Sequence, residues 1–178
     1  MRELSLSILD LIQNSVRHGA TLVEICVTED ACANKLCITV KDNGCGINEN
    51  AVNNIIDPFY TTCVTHKVGL GVPLFAQRAY MTGGSFELNA EEGRGTLVSA
   101  CFDKEHVDFV PLGSMADVFL CAIASTDGVD FVYTYQNGCR EFKMDTKELF
   151  GKLGIDSSYP SSFKATVVKE FLSDEIIQ

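Results

Sequence analysis

The segment from Asp42 to Ile47 carries a carboxylate followed by two glycines at alternate positions, Gly44 and Gly46. At the end of a strand, such a carboxylate offers a hydrogen-bond acceptor, and the glycines let the backbone approach a flat ring with no side chain between them. The combination suits recognition of an amine-bearing base such as adenine. Taken alone, the segment is more simply interpreted as an Asp-Asn-Gly turn between two elements.

Other segments contain groups suited to a phosphate-bearing ligand. Asp10 and Asn14 lie one helical turn apart, and a single amide oxygen can hold Mg²⁺ when phosphates and waters supply the other ligands. Gly69-Leu70-Gly71 precedes a predicted helix, whose free N-terminal amides can receive phosphate oxygens. The remaining segments are Asp57-Pro58-Phe59-Tyr60-Thr61-Thr62 and Gly93-Arg94-Gly95-Thr96. Each segment is weak by itself, so their order along the chain is the informative feature.

The ordered segments resemble the N, G1, F and G2 boxes of the GHKL ATP-binding superfamily. This superfamily includes DNA gyrase, the large heat-shock chaperones, sensor histidine kinases and MutL-type repair proteins. The resemblance runs from Leu4 to Phe102 and is closest to the histidine-kinase catalytic domain, whose pattern D-x-G-x-G, P-F-x-T-T, G-L-G, G-x-G-T is nearly complete here. It implies the Bergerat fold and a site for ATP and Mg²⁺.

The resemblance also implies residue roles. Asp42 would specify adenine, with Thr96 near the same edge of the base, and Asn14 would ligate Mg²⁺. Asp10 would polarise the attacking water or acceptor side chain, as a general base does, although many of these ATPases carry the longer Glu at that position. The other residues matched to the nucleotide site are Gly44, Gly46, Ile47, Phe59, Thr62, Gly69, Leu70 and Gly71.

The chain departs from the kinase pattern at two positions. Cys63 follows Thr62 where a lysine usually stands, and Val68 precedes the G-L-G motif. Lys67 is therefore the lysine that we expect to reach the phosphates, from a short lid segment. Arg17 is expected either to contact phosphate or to be a surface charge, with no preference between the two.

Apolar spacing predicts elements that would position these groups. The predicted elements are a helix over residues 3–18, strands at Leu22–Thr28 and Lys35–Asp42, a short helix at Asn48–Ile56, a helix from about Val72 to Met81, and strands at Ser85–Ala90 and Thr96–Phe102. This order predicts an α/β fold, a two-layer sandwich with a mixed, mostly antiparallel sheet.

Pro111 and Gly113 mark a predicted domain boundary. Residues 1–112 would form the ATP-binding domain, and residues 113–178 a small α+β extension. The extension is predicted to contain a helix at Met115–Ala124, a hairpin of Phe131–Tyr135 and Glu141–Met144 turned at Asn137-Gly138, and helices at Thr146–Leu153 and Ser162–Leu172. Because it is rich in apolar residues and lacks a catalytic constellation, we expect it to serve interaction.

Composition restricts the functional classes. The net charge of -10 argues against a nucleic-acid-binding surface. The chain has no apolar run long enough for a membrane span and no secretory signal, so a cytoplasmic protein is expected. The eight cysteines are scattered without a C-x-x-C pair, which favours reduced core thiols; a redox role for Cys45 and Cys63 is the less favoured alternative.

The histidines bear on the kind of GHKL protein. A sensor histidine kinase needs a helical domain with a phosphoacceptor histidine, yet His18, His66 and His106 do not lie in an H-box, and the chain starts at the N-box helix. The leading hypothesis is an ATP-binding protein of kinase type that acts on a separate protein partner, a layout similar to that of anti-sigma-factor serine kinases. The alternative is a nucleotide-sensing module with little catalysis.

Overall fold

The computed structural model describes residues 3–47, 71–138 and 140–176. The predicted helix at 48–56 and the predicted lid lie outside the described residues, as do Phe59, Thr62, Lys67, Gly69 and Leu70.

The described elements follow the predicted order. They are α1 (Leu4–Arg17), β1 (Leu22–Asp30), β2 (Lys35–Asp42), α2 (Gly71–Met81), β3 (Ser85–Glu91), β4 (Gly95–Asp103), α3 (Met115–Ala124), β5 (Asp130–Asn137), β6 (Arg140–Asp145), α4 (Thr146–Leu153) and α5 (Ser161–Ile176). Apolar periodicity therefore located these elements to within a few residues.

The described strands form one sheet in the order β3-β4-β2-β1-β5-β6. Every neighbouring pair is antiparallel except β1 and β5, which run parallel. The predicted fold class, a mixed and mostly antiparallel sheet with helices, is confirmed.

One face of the sheet carries the core. On β2, Leu36, Ile38 and Val40 are buried, while Thr39 on the opposite face is half-exposed, the alternation expected of a sheet with one face covered. The buried face packs against helices, as the ring contact between Phe75 of α2 and Phe102 of β4 illustrates, with centroids 5.4 Å apart. No helix among the described residues combines the length and apolar character needed to cross a membrane.

Residues after Gly113 complete this same sheet. The β5–β6 hairpin joins it through the parallel pairing of β5 with β1. Phe119 of α3 packs on Tyr133 of β5 with ring centroids 5.4 Å apart. The buried residues after Gly113 belong to the same hydrophobic core as those of the N-terminal part. The core-facing apolar side chains of α3 and β5 are thus buried within the chain, whereas other apolar side chains of the extension are exposed, namely Leu153, Tyr159 and Phe163. The domain boundary near Gly113 stays a prediction.

The prediction of reduced core thiols is wrong for Cys37 and Cys101, and the other described cysteines are free thiols but do not lie in the core. Cys37 and Cys101 form a disulfide, and the free cysteines, Cys26, Cys32, Cys45 and Cys121, are all at least partly exposed. The physical reason is register: Cys37 and Cys101 lie directly opposite each other on β2 and β4, and opposite residues of antiparallel strands share a face. Their sequence separation of 64 hides this pairing from a linear reading.

Candidate functional site

The Asp42 carboxylate lies at the end of β2 and accepts three hydrogen bonds. Its Oδ1 atom accepts from the backbone N–H groups of Gly44, at 2.9 Å, and Thr96, at 3.2 Å. Its Oδ2 atom accepts from the hydroxyl of Ser15 at 2.6 Å. Helix α1, the loop after β2 and the start of β4 therefore converge on one half-buried carboxylate.

The loop after β2 is attached to the end of α1. The Cys45 N–H donates to the His18 carbonyl at 3.0 Å, and the Asn43 Oδ1 atom accepts from the N–H groups of Thr21 and Leu22, both at 2.9 Å. These bonds hold the loop in place beside Asp42.

Glycines permit close backbone approaches around the loop. A Cβ atom at Gly46 would lie 2.0 Å from the Glu91 carbonyl oxygen, and one at Gly95 would lie 2.0 Å from the Asp42 carbonyl oxygen. At Gly44 a Cβ atom would lie 2.9 Å from the His18 carbonyl oxygen. The protein's own backbone thus requires these glycines, whereas their predicted role in approach to the base stays a prediction.

Asp10 and Asn14 meet the start of α2. A Cβ atom at Gly71 would lie 3.0 Å from the Asp10 Cβ and 3.7 Å from the Asn14 Nδ2 atom. The last residue of the G-L-G motif, the first described residue of α2, is therefore packed against both N-box residues. Asp10 and Asn14 are each half-buried.

Arg17 lies on the exposed side of α1, next to Asn14. Its Nη1 atom donates to the Asn14 Oδ1 atom at 3.2 Å, and its Nη2 atom donates to the Gln13 Oε1 atom at 3.4 Å. The guanidinium group therefore sits at the amide oxygen that was predicted to ligate Mg²⁺.

The donor set fits magnesium held mainly by a nucleotide. In the part of the chain that the structure describes, no group of three or more His, Cys, Asp or Glu side chains could hold a metal by itself. Mg²⁺ is commonly bound by one or two protein oxygens together with substrate phosphates and waters. One amide oxygen, from Asn14, is consistent with that mode of binding.

Of the other predicted residues within the described ranges, Thr96 lies opposite Asp42 in the β2–β4 register, and Ile47 packs against the core. Sequence reasoning missed Ser15 and Asn43. Ser15 carried a signal, because it is a polar residue at a position that continues the buried spacing of Ile8, Leu11 and Ile12. No pattern in the sequence pointed to the contacts of Asn43.

The sequence similarity to known proteins lies mainly in the N-terminal part of the chain. The family model described as "Histidine kinase-, DNA gyrase B-, and HSP90-like ATPase" matches residues 2–106. The sensor histidine kinase YvrG of Bacillus subtilis is 27% identical over 100 residues, which cover 54% of this chain and 17% of that protein. The sensor protein kinase WalK of Staphylococcus saprophyticus is 34% identical over 96 residues, covering 50% of this chain and 16% of that protein. The chain thus spans only a small part of the length of these relatives.

The fold also matches a solved structure. The MutL ATPase domain of Aquifex aeolicus, complexed with ADP, superposes with a TM-score of 0.50 at 16% identity, covering 86% of this chain and 70% of that one. At this identity the likeness concerns the fold. Its coverage reaches beyond the residues that the family model matches, so part of the C-terminal segment is included.

Proposed function

The chain belongs to the family of histidine kinase-, DNA gyrase B- and HSP90-like ATPases, and on that premise we propose that it binds ATP with Mg²⁺ and acts, in the manner of a histidine-kinase catalytic domain, on a protein acceptor outside these residues.

The observation that carries the proposal is the hydrogen bonding of Asp42. An ionised carboxylate has about four lone-pair sites, and three of them accept from Gly44, Thr96 and Ser15. The fourth is available to the exocyclic amine of adenine. Guanine presents a carbonyl oxygen at that position, and an acceptor that meets another acceptor in place of a donor discriminates against that base.

The phosphate end would be formed by α1 and α2. Gly71, the first described residue of α2, lies beside Asp10 and Asn14, and a helix N-terminus favours phosphate oxygens. Asn14 would ligate Mg²⁺, which on binding would neutralise phosphate charge. Arg17 is placed to turn from Asn14 toward the phosphates, and Asp10 would take the proton of the acceptor or of a water. Phe59, Thr62, Lys67, Gly69 and Leu70 are proposed to complete the site.

The proposed acceptor lies outside these residues because neither described histidine resembles a phosphoacceptor. His18 follows the last turn of α1, and the Nδ1 atom of His106 accepts the Asp108 N–H within a turn at 3.1 Å. The predicted cytoplasmic location stays a prediction. The Cys37–Cys101 disulfide weighs against it, since disulfides persist mainly in oxidising compartments.

A second candidate function is that of a nucleotide-sensing module. It is favoured by the hydrogen bonds that join the first residues of α1 to the segment before Gly113. The N–H groups of Leu4 and Ser5 donate to the carbonyls of Pro111 and Leu112, at 3.0 and 2.7 Å. A shift of α1 on nucleotide binding would therefore be passed directly to the segment that leads into residues 113–178.

Calorimetry with ATP and Mg²⁺ tests the proposal. We expect the parent chain to bind ATP and to bind GTP poorly, and Asp42→Ala to lose ATP binding, because the base would lose its acceptor. Asp30→Ala is the matched control: Asp30 ends the neighbouring strand β1, and its Oδ1 atom likewise accepts two backbone N–H groups, from Cys32 and Ala33. Equal affinities of the parent for ATP and GTP, or unchanged ATP binding by Asp42→Ala, would contradict it.

A further inference from the structure

Ser15 occupies an unusual place on α1 for a polar residue. Its side chain is buried, with 6% of the residue's surface exposed, and its hydroxyl oxygen lies 2.6 Å from Asp42 Oδ2. The alternative acceptor, the Leu11 carbonyl one turn earlier, is farther away at 3.2 Å. A hydroxyl has one proton, and hydrogen bonds to a charged group are the stronger kind. The Ser15 hydroxyl therefore donates its hydrogen bond to the Asp42 carboxylate.

The backbone fixes the position of Ser15. Its carbonyl oxygen accepts the N–H groups of His18, at 3.2 Å, and Ala20, at 3.1 Å, where the chain leaves the helix. The hydroxyl is therefore held at the last turn of α1, one residue beyond Asn14, and its contact joins the phosphate end of the proposed site to the base end.

The two oxygens of Asp42 are not equivalent. Two backbone N–H groups fill Oδ1, whereas Oδ2 accepts only from Ser15 among the described residues. Since each carboxylate oxygen has about two lone-pair sites, the one that remains for a ligand is on Oδ2. The oxygen that would meet the base is thus the one that Ser15 holds.

We propose that Ser15 is a positioning residue for base selection: its hydroxyl orients Asp42 Oδ2 so that the remaining lone pair points at an exocyclic amine. This inference rests on the proposed ATP site. With Ser15 in place, a base that presents a carbonyl oxygen meets a lone pair of fixed direction and is rejected. Without it, the carboxylate has freedom to turn or to hold a water, and the two kinds of base are distinguished less well.

Calorimetry of ATP and GTP binding to Ser15→Ala tests the role. A hydrogen bond to a charged group is of the stronger kind. Part of its contribution is recovered by water, so we expect about a tenfold loss of ATP affinity and about a tenfold fall in the ATP-to-GTP affinity ratio. The ratio is the decisive readout, because a general loosening of the site would weaken both nucleotides together.

Ser7→Ala is the matched control. Ser7 is a fully buried serine on the same helix, and its hydroxyl has no hydrogen-bond partner within the described ranges. We expect both affinities to be unchanged in this variant. Ser15→Thr keeps the hydroxyl and should restore the ratio. If Ser15→Ala does not fold, Ser15→Cys, which keeps the shape but offers a weak donor, should show the same fall in the ratio.

The outcomes separate the two proposals. A parent chain that binds no ATP would overturn the proposed function and this inference together. A parent that binds ATP selectively, with a Ser15→Ala variant of unchanged ratio, would overturn the role of Ser15 alone and leave the ATP site standing.

Discussion

Asp10 and Asn14 share one turn of α1, yet their proposed roles give separable outcomes. Asn14→Ala should weaken ATP binding only in the presence of Mg²⁺, since it removes a metal ligand. Asp10→Asn should leave binding nearly intact and lower phosphotransfer or hydrolysis by about a hundredfold to ten-thousandfold, the usual effect of losing a positioned base. Binding is measured by calorimetry with and without Mg²⁺, and turnover by release or transfer of labelled γ-phosphate.

The same measurements decide between the two candidate functions. Transfer of label to a protein from the same cell would support a kinase. A parent chain that binds ATP without turnover, or an Asp10→Asn variant as active as the parent, would favour the nucleotide-sensing module.

At the residue scale, the motifs identified the Asp42 carboxylate but not every group that donates to it. Asp42 was identifiable because a carboxylate and two glycines stand within five residues. The resemblance also placed Thr96 near the same edge of the base, but the contact of Asp42 with Ser15, 27 positions away, was missed. A motif identifies which side chain is present. The residues that hold that side chain come from the packing of α1 beside β2 and from the pairing of β4 with β2.

At the scale of elements, Gly95 determines how β4 meets the end of β2. A side chain there would press its Cβ against the Asp42 carbonyl oxygen, so Gly95→Ala should lower the free energy of unfolding by at least about 3 kcal/mol, at the upper end of overpacking effects. Gly93→Ala, in the adjacent turn, is the control. Gly93 has a φ of +78° with nothing within 4 Å of an added Cβ, so only the left-handed conformation is penalised, by about 1–2 kcal/mol.

Urea denaturation of the two variants checks this difference. Equal losses of stability in the two variants would show that β4 can move away from Asp42 at no cost in stability. That result would contradict the prediction from the close approach of Gly95 to the Asp42 carbonyl oxygen. The midpoint should move without a change in slope, because the same surface is exposed on unfolding.

Element positions were predictable from the sequence because period 2 and period 3.6 are local properties. The order of strands in the sheet was not. The parallel pairing of β1 with β5 joins residues that no local pattern connects, so the sequence did not predict that the segment after Gly113 adds two strands to the sheet. The same limitation produced the wrong prediction for Cys37 and Cys101.

At the scale of the whole molecule, Glu29 connects three parts of the chain. It accepts hydrogen bonds from Lys104, just after β4, at 2.5 Å and from Tyr135 of β5 at 2.9 Å. Burial by itself raises the pKa of Glu29, but the hydrogen bonds from Lys104 and Tyr135 outweigh it, so the pKa lies below its ordinary value. Burial, followed by the bond to Glu29, raises the pKa of Tyr135.

A lowered pKa means that the folded state favours the charged carboxylate. The contribution of Glu29 to stability is therefore fully present above the pKa of an unfolded glutamate, about 4.3, and is lost as the pH falls through the lower folded pKa. We expect Glu29→Gln to be less stable than the parent at neutral pH, and the difference to shrink below about pH 4. Urea denaturation across this range measures it.

Glu24→Gln is the control for Glu29→Gln. Glu24 lies on β1, like Glu29, and pairs with Lys41 of β2. The side chains of Glu24 and Lys41 are 44% and 55% exposed, against 21% and 35% for Glu29 and Lys104. Exposed ion pairs contribute about 0–1 kcal/mol, so this variant should stay close to the parent throughout. A gap between Glu29→Gln and the parent that persists unchanged into acid would contradict the prediction.

The parallel pairing of β1 with β5 also has a consequence for synthesis of the chain. Thr28 and Gln136, opposite each other in that register, are separated by 108 positions. At about 5–20 residues per second on the ribosome, one edge of β1 waits roughly 5–20 seconds for its neighbour, although the antiparallel β2 follows almost at once. During that interval the nascent protein carries an unpaired strand edge, the kind of surface that associates with other chains. The rate at which the codons between Thr28 and Gln136 are translated, and the access of chaperones to β1 during that time, therefore affect the yield of folded protein.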